Sequence, residues 1–138
     1  METRTARIGV IGLGYVGLPL SLLLSEAGFK VTGFDIDAKK VADLEAGRSY
    51  IFRIPATEIQ SAGEKGFTAT IDFSGLSGQD AIIIMVPDAA YARAGHSKKK
   101  ISRSTSLAII DCWRILKGVS LPPHVTLFHP GKHFKRLK

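Results

Sequence analysis

Apolar and polar positions change period several times along this chain, and each change marks an element. Residues 8–11 are an unbroken apolar run stopped by Gly12. Residues 15–27 repeat apolar positions at helical spacing, and Gly28 with Phe29 gives that helix a stop. Residues 30–35 read as a second short strand ending in a carboxylate, Asp35. A helix over residues 38–46 has Val41 and Leu44 as its inward positions, with Gly47 as its stop. Residues 48–55 form a loop carrying several aromatic and apolar side chains, and residues 56–65 an amphipathic helix ending at Gly66. Residues 67–71 alternate like a short edge strand, and residues 72–76 are a turn. Residues 80–87 are a solid hydrophobic strand, the kind buried on both faces of a parallel sheet. Strands alternating with helices predict an α/β fold, a doubly wound parallel sheet with right-handed crossovers.

The first strand-to-helix junction carries the most informative spacing. Gly12, Gly14 and Gly17 stand as G-x-G-x-x-G between an apolar strand and a helix, the context a dinucleotide fingerprint needs. Gly12 permits the tight turn, Gly14 lets backbone approach a pyrophosphate, and Gly17 lets the helix lie close on the strand. The helix begins with unpaired N–H groups and a positive dipole end aimed at the phosphates. Asp35 follows Gly17 by eighteen residues. A carboxylate there accepts the hydroxyls of the adenosine ribose and repels a 2′-phosphate, which argues for NAD over NADP. The alternative is a helix N-cap, since Asp35 and Asp37 both precede the second helical pattern. With the glycines upstream, Asp35 is assigned to the ribose and Asp37 to the cap. Ligand is then expected at the carboxyl ends of the strands, where Gly12, Asp35, Val86 and Pro87 converge.

Composition narrows the class. With 138 residues, 45% of them hydrophobic, the chain is at most one domain of soluble globular type. No apolar run reaches a membrane span, the start is polar, and the single cysteine, Cys112, fits a reducing cytoplasm. The net charge of +7 is unevenly placed: residues 1–86 balance to −2, and residues 87–138 to +9 with all four histidines. Such a split raises the question of whether the two parts share a history.

The same residues carry a resemblance. The glycine turn with Pro19 and the segment Gly33-Phe34-Asp35-Ile36-Asp37 with Lys40 are its first parts. Gly47-Arg48-Ser49-Tyr50-Ile51, Thr70-Ile71-Asp72-Phe73-Ser74 and residues 80–87 complete it. Together they resemble the amino-terminal NAD-binding domain of the UDP-glucose/GDP-mannose dehydrogenase family. Ser49-Tyr50-Ile51 followed by Ile54-Pro55 is most similar to the branch oxidising UDP-N-acetylglucosamine and UDP-N-acetylmannosamine. The resemblance implies a Rossmann-type sheet, here incomplete. It also implies NAD⁺-dependent, two-step oxidation of a sugar C6 alcohol to a carboxylate. In its terms Gly12, Gly14, Tyr15, Val16 and Gly17 hold the pyrophosphate and Asp35 the ribose. Val86 and Pro87 wall the cofactor, and Lys40 lies near the adenosine end. On charge grounds alone Lys40 also reads as a solvated helix lysine. For full-length members the resemblance implies a UDP-sugar as second ligand and allows homo-oligomers. The family's catalytic lysine, asparagine and cysteine, and its UDP-binding domain, have no counterpart in the chain. The fragment is therefore expected to bind cofactor without turnover, with no catalytic residue of its own. Three rivals are another NAD-dependent oxidoreductase, of the 3-hydroxyacid dehydrogenase type, a binding-only fragment that retains NAD without activity, and a nucleic-acid-binding protein acting through basic clusters.

Past Pro87 the resemblance stops, which predicts a division into residues 1–87 and a divergent basic tail, 88–138. Read one base out of register, a choice among the degenerate codons for Pro87 through His96 can spell Pro-Thr-Pro-Leu-Thr-Pro-Glu-Pro-Asp, close to the family's missing segment. One inserted base near codon 87 would make the tail out-of-frame translation. Taken physically, residues 104–116 predict an amphipathic helix with Leu107, Ile110, Trp113 and Leu116 inward, and residues 125–128 a strand. Lys98-Lys99-Lys100 and residues 132–138 are basic clusters able to meet phosphates, though a solvated run is the reading preferred. His124, His129 and His133 lack a cysteine pair to complete a zinc site, so no metal is expected. Cys112, in an apolar stretch, is expected to be a buried structural thiol.

Overall fold

The computed structural model describes residues 5–85, 107–111, 123, 125–129 and 135–137. Among the described residues seven strands form one sheet: β1 (Arg7–Ile11), β2 (Lys30–Phe34), β3 (Thr68–Thr70), β4 (Ala81–Ile84), β5 (Leu107–Asp111), β6 (Val125–His129) and β7 (Lys135–Leu137). Their order is β3-β2-β1-β4-β5-β6-β7, and every pairing is parallel except β6 with β7. Helices α1 (Gly17–Glu26), α2 (Ala38–Glu45) and α3 (Ala56–Glu64) connect the first strands, and a 3-10 helix (Phe73–Gly78) precedes β4. The chain runs from β1 outward to β2 and β3, then returns to the other flank of β1 as β4. That reversal is a topological switch point, and the crevice it leaves lies at the carboxyl ends of β1 and β4. This is the Rossmann-type order expected from the sequence.

The apolar runs supply the core: β1 is buried on both faces, and β4 buries Ile82 and Ile84 while Ala81 and Ile83 are partly covered. Val10, Val31, Phe34, Ile82 and Ile84 are buried, as are Leu18 and Leu22 of α1. Phe34 stacks at a tilt on Phe73, with ring centroids 5.6 Å apart, so the 3-10 helix seals one end of β2. The Ser25 hydroxyl donates to the Ala62 carbonyl at 3.4 Å and links α1 to α3. Val41 and Leu44 are the buried positions of α2, as its pattern predicted. Its N-cap is Asp37, whose side chain accepts from the N–H of Lys39 at 3.0 Å and of Lys40 at 3.3 Å. The short strand expected near residue 68 sits at the sheet edge as β3.

Two boundaries differ from expectation. Helix α1 starts at Gly17 rather than Tyr15, leaving Tyr15 and Val16 in the turn before it. The helix expected over residues 104–116 is replaced, over its described part, by β5. Ala108, Ile109 and Ile110 are a continuous apolar run that pairs with Ala81, Ile82 and Ile83 of β4. A run this short fits a helix stripe and a buried strand equally by period, and the open flank of β4 decides for the strand. Strand β6 forms where residues 125–128 predicted one, so the sheet continues on both sides of residue 87. Trp113, Leu116 and Cys112 lie outside the described residues.

Candidate cofactor site at the glycine turn

The turn after β1 is fixed one peptide at a time. The Gly12 N–H donates to the Phe34 carbonyl at 2.7 Å, which carries the β1–β2 pairing one step past the strand. Gly12 has φ +97°, a conformation that favours glycine. The Leu13 N–H donates to Asp35 Oδ2 at 2.8 Å, and the Leu13 carbonyl accepts the Tyr50 hydroxyl. The Leu13 side chain is fully buried against Gly33, where an added Cβ would lie 2.6 Å from Leu13 Cδ2. Gly17 brings α1 down onto the turn: an added Cβ there would stand 1.6 Å from the Gly12 oxygen. Gly12 and Gly17 thus hold the roles their spacing predicted, a tight turn and a close helix.

Gly14 differs from both. An added Cβ at Gly14 meets no described residue within 4 Å, so no contact among the described residues requires glycine there. The N–H groups of Gly14, Tyr15 and Val16 make no hydrogen bond to another described residue. Helix α1 has no side-chain cap and no acidic residue in its first turn. Tyr15 and Val16 are exposed at the mouth of the crevice. A helix start left uncapped, with unpaired N–H groups and open space, is what an anion fills.

Beside the turn lies a cleft of about 240 Å³ lined by Gly14, Tyr15, Asp37, Lys40, Asp43 and Tyr50, with Lys39 and Ile51. The Lys40 ammonium sits 5.7 Å from the centroid of the Tyr50 ring, a cation–π separation. Arg48 donates to Asp43 Oδ1 at 2.9 and 3.1 Å and so anchors the loop that carries Tyr50. Burial, then the carboxylates of Asp35, Asp37 and Asp43, raise the Tyr50 hydroxyl well above the usual phenol pKa.

Of the residues singled out from sequence, Gly12, Gly14, Tyr15, Val16 and Gly17 form the turn, and Lys40 lines the cleft next to it. Asp35 is buried behind the turn, and each carboxylate oxygen already accepts a backbone N–H, from Leu13 and from Asp37 at 2.9 Å. A carboxylate oxygen retains a second lone pair, so a ribose hydroxyl remains chemically acceptable. Val86 and Pro87 lie outside the described residues. Tyr50 went unassigned in the sequence because its partner, Leu13, is 37 residues away. The available signals were a phenol among the apolar residues of a loop and its place in the Ser49-Tyr50-Ile51 segment of the resemblance, and neither gave it a role. Among the described residues no helix is long and apolar enough to cross a membrane, and no His, Cys, Asp and Glu group could hold a metal.

A family profile described as the UDP-glucose/GDP-mannose dehydrogenase family, NAD binding domain, matches residues 6–108. The chain belongs to this family. The family model is that of an NAD-binding domain, the cofactor expected from the glycine turn together with Asp35. A UDP-N-acetyl-D-glucosamine 6-dehydrogenase of Pseudomonas aeruginosa is 37% identical over 83 residues, 59% of this chain and 18% of the relative. A UDP-N-acetyl-D-mannosamine dehydrogenase of Pyrococcus horikoshii is 28% identical over 133 residues, 87% of this chain and 30% of the relative. The chain therefore spans less than a third of the length of these relatives. Among solved structures, a ternary complex of GDP-mannose dehydrogenase from Pseudomonas aeruginosa superposes with TM-score 0.72 at 20% identity. It covers 93% of this chain and 37% of its own, and at that identity it shows the shared fold.

Proposed function

We propose that this chain is the cofactor-binding part of a UDP-sugar 6-dehydrogenase, an enzyme taking a C6 alcohol to a carboxylate. The observation that carries this reading is the N–H cradle of Gly14, Tyr15 and Val16 at the uncapped start of α1. In the proposed arrangement these N–H groups receive the pyrophosphate, with Gly12 and Gly17 fixing the turn beneath them. Asp35 offers its remaining lone pairs to the ribose, and Lys40 stands at the adenosine end of the cleft. Val86 and Pro87, outside the described residues, are assigned the wall near the cofactor by the family resemblance. NAD supplies hydride acceptance when bound, and the chain's share is to bind and orient it. The UDP-sugar and its reacting groups belong to the longer enzymes of the family, and the cytoplasm is where we expect such a nucleotide sugar.

Calorimetric titration of the 138-residue chain with NAD⁺ and NADP⁺ tests the reading. Binding of NAD⁺ with clear preference over NADP⁺ is expected, because a 2′-phosphate would meet the Asp35 carboxylate. Equal affinity for the two removes the role given to Asp35, and absence of NAD⁺ binding removes the reading.

A further inference from the structure

The backbone of Leu13 is gripped from two sides by side chains of different elements. Asp35, just past β2, holds its N–H, and Tyr50, in the loop between α2 and α3, holds its carbonyl. The peptide joining Leu13 to Gly14 is trans, so that carbonyl and the Gly14 N–H point in opposite directions. Whatever fixes the carbonyl fixes the direction of the Gly14 N–H. We propose that Tyr50 is a positioning residue that, through the Leu13 carbonyl, sets the Gly14 amide for a diphosphate. This rests on the cofactor reading above and assigns that site a part outside the glycine motif.

The loop is built to aim the hydroxyl. Arg48 ties its start to Asp43, and the Ser49 hydroxyl donates to the Ile51 carbonyl at 3.0 Å while accepting the Ile51 N–H at 3.2 Å. Ile51 and Ile54 are buried in the main core, and Lys40 covers the Tyr50 ring. A ring held by packing on one side and a cation on another loses little freedom when its hydroxyl bonds. Because burial and nearby carboxylates keep the phenol protonated far above neutrality, it acts as a donor throughout the physiological range. The link also makes the position of residues 48–55 felt at the Gly14 amide, whatever else Tyr50 meets in the cleft it lines.

The test is Tyr50→Phe in the whole chain, which deletes one oxygen. Three readouts are taken: the thermal midpoint, the ¹⁵N-resolved Gly14 amide resonance without ligand, and the NAD⁺ dissociation constant. Expected are a midpoint lowered by about 4 °C or less, a displaced Gly14 resonance, and NAD⁺ binding weakened about tenfold. An unmoved Gly14 resonance, or NAD⁺ affinity within about twofold of the parent, overturns the proposal. A parent chain that fails to bind NAD⁺ overturns the cofactor reading instead, while the ligand-free resonance still judges the Tyr50 link. Should Tyr50→Phe not fold, the parent decides. On titration with ADP-ribose its Tyr50 hydroxyl proton and Gly14 amide must shift together, and movement of the amide alone sinks the link.

Discussion

Two glycines of one motif are expected to separate stability from binding. In Gly17→Ala the new methyl stands 1.6 Å from the Gly12 oxygen and 2.8 Å from the Gly12 carbon, both backbone atoms. No rotamer relieves that overlap; helix α1 must lift off the turn or the turn must open. Opening it threatens three bonds: Gly12 N–H to Phe34, Leu13 N–H to Asp35, and the Tyr50 hydroxyl to Leu13. At about 1 kcal/mol for each neutral bond and about 1.5–3 for the one to a carboxylate, the loss is about 3–5 kcal/mol. Against a whole-domain stability of about 5–15 kcal/mol, that lowers the melting midpoint by roughly 10–20 °C. Gly14→Ala meets no atom of a described residue within 4 Å, and Gly14 is not among the positive-φ glycines. Its stability should stay level or rise by about 0.5 kcal/mol through a stiffer unfolded chain. Its NAD⁺ affinity should fall at least about tenfold, because the methyl occupies the space of the pyrophosphate. Urea unfolding followed by circular dichroism, paired with calorimetric titration, reads both. Gly17→Ala within about 0.5 kcal/mol of the parent, or Gly14→Ala with unchanged NAD⁺ affinity, refutes the geometry.

Asp35→Ala should weaken NAD⁺ binding and also destabilise the fold by about 2–4 kcal/mol, since the Leu13 and Asp37 N–H groups lose their acceptor. Urea unfolding that shows no destabilisation contradicts the inward bonding of this carboxylate. Stability should be flat from neutral pH to about 10 and fall above it: the native state keeps the Tyr50 proton that the unfolded chain, with the usual value of 10.0, releases. Tyr50→Phe should flatten that alkaline loss in a pH series of melts, and an identical slope in both proteins argues against it. Sequencing the gene across codons 86–90 should show one inserted base if residues 88–138 are out of frame. An uninterrupted frame ends that idea.

What the sequence yields about the fold depends on where tertiary context is needed. Strands β1 and β4 were legible as short apolar runs beside turn signals, and β2 as a short strand between the Gly28 stop and Asp35. Helices α2 and α3 were legible from their stripes and stops. Strand β5 was misread because Leu107 and Ile110 are spaced three apart inside an apolar run that satisfies either period. What resolves it is the open flank of β4, a fact about neighbours in space. Asp35 shows the same limit at the site. A carboxylate one step beyond a strand reads identically whether it faces ligand or its own backbone, and here it accepts from Leu13 and Asp37.

The glycine spacing is a local pattern, yet its geometry is set from a distance. Register pairs Ile11 with Phe34, and only that register brings the Phe34 carbonyl to Gly12 and places Asp35 beside Leu13. A slip of one residue would move the carboxylate away from the Leu13 N–H and put the wrong face of β2 toward the core. Tyr50 then fixes the next peptide from a third segment, 37 residues removed. Each peptide of the turn is thus positioned by a different element: β2, the residue after it, the loop after α2, and α1 through Gly17. Three glycines at the right spacing carry little information alone because they supply permission for the turn, not its direction. Direction comes from β2 and the Tyr50 loop, so the segments at residues 30–37 and 48–51 shape the glycine turn as much as the glycines do.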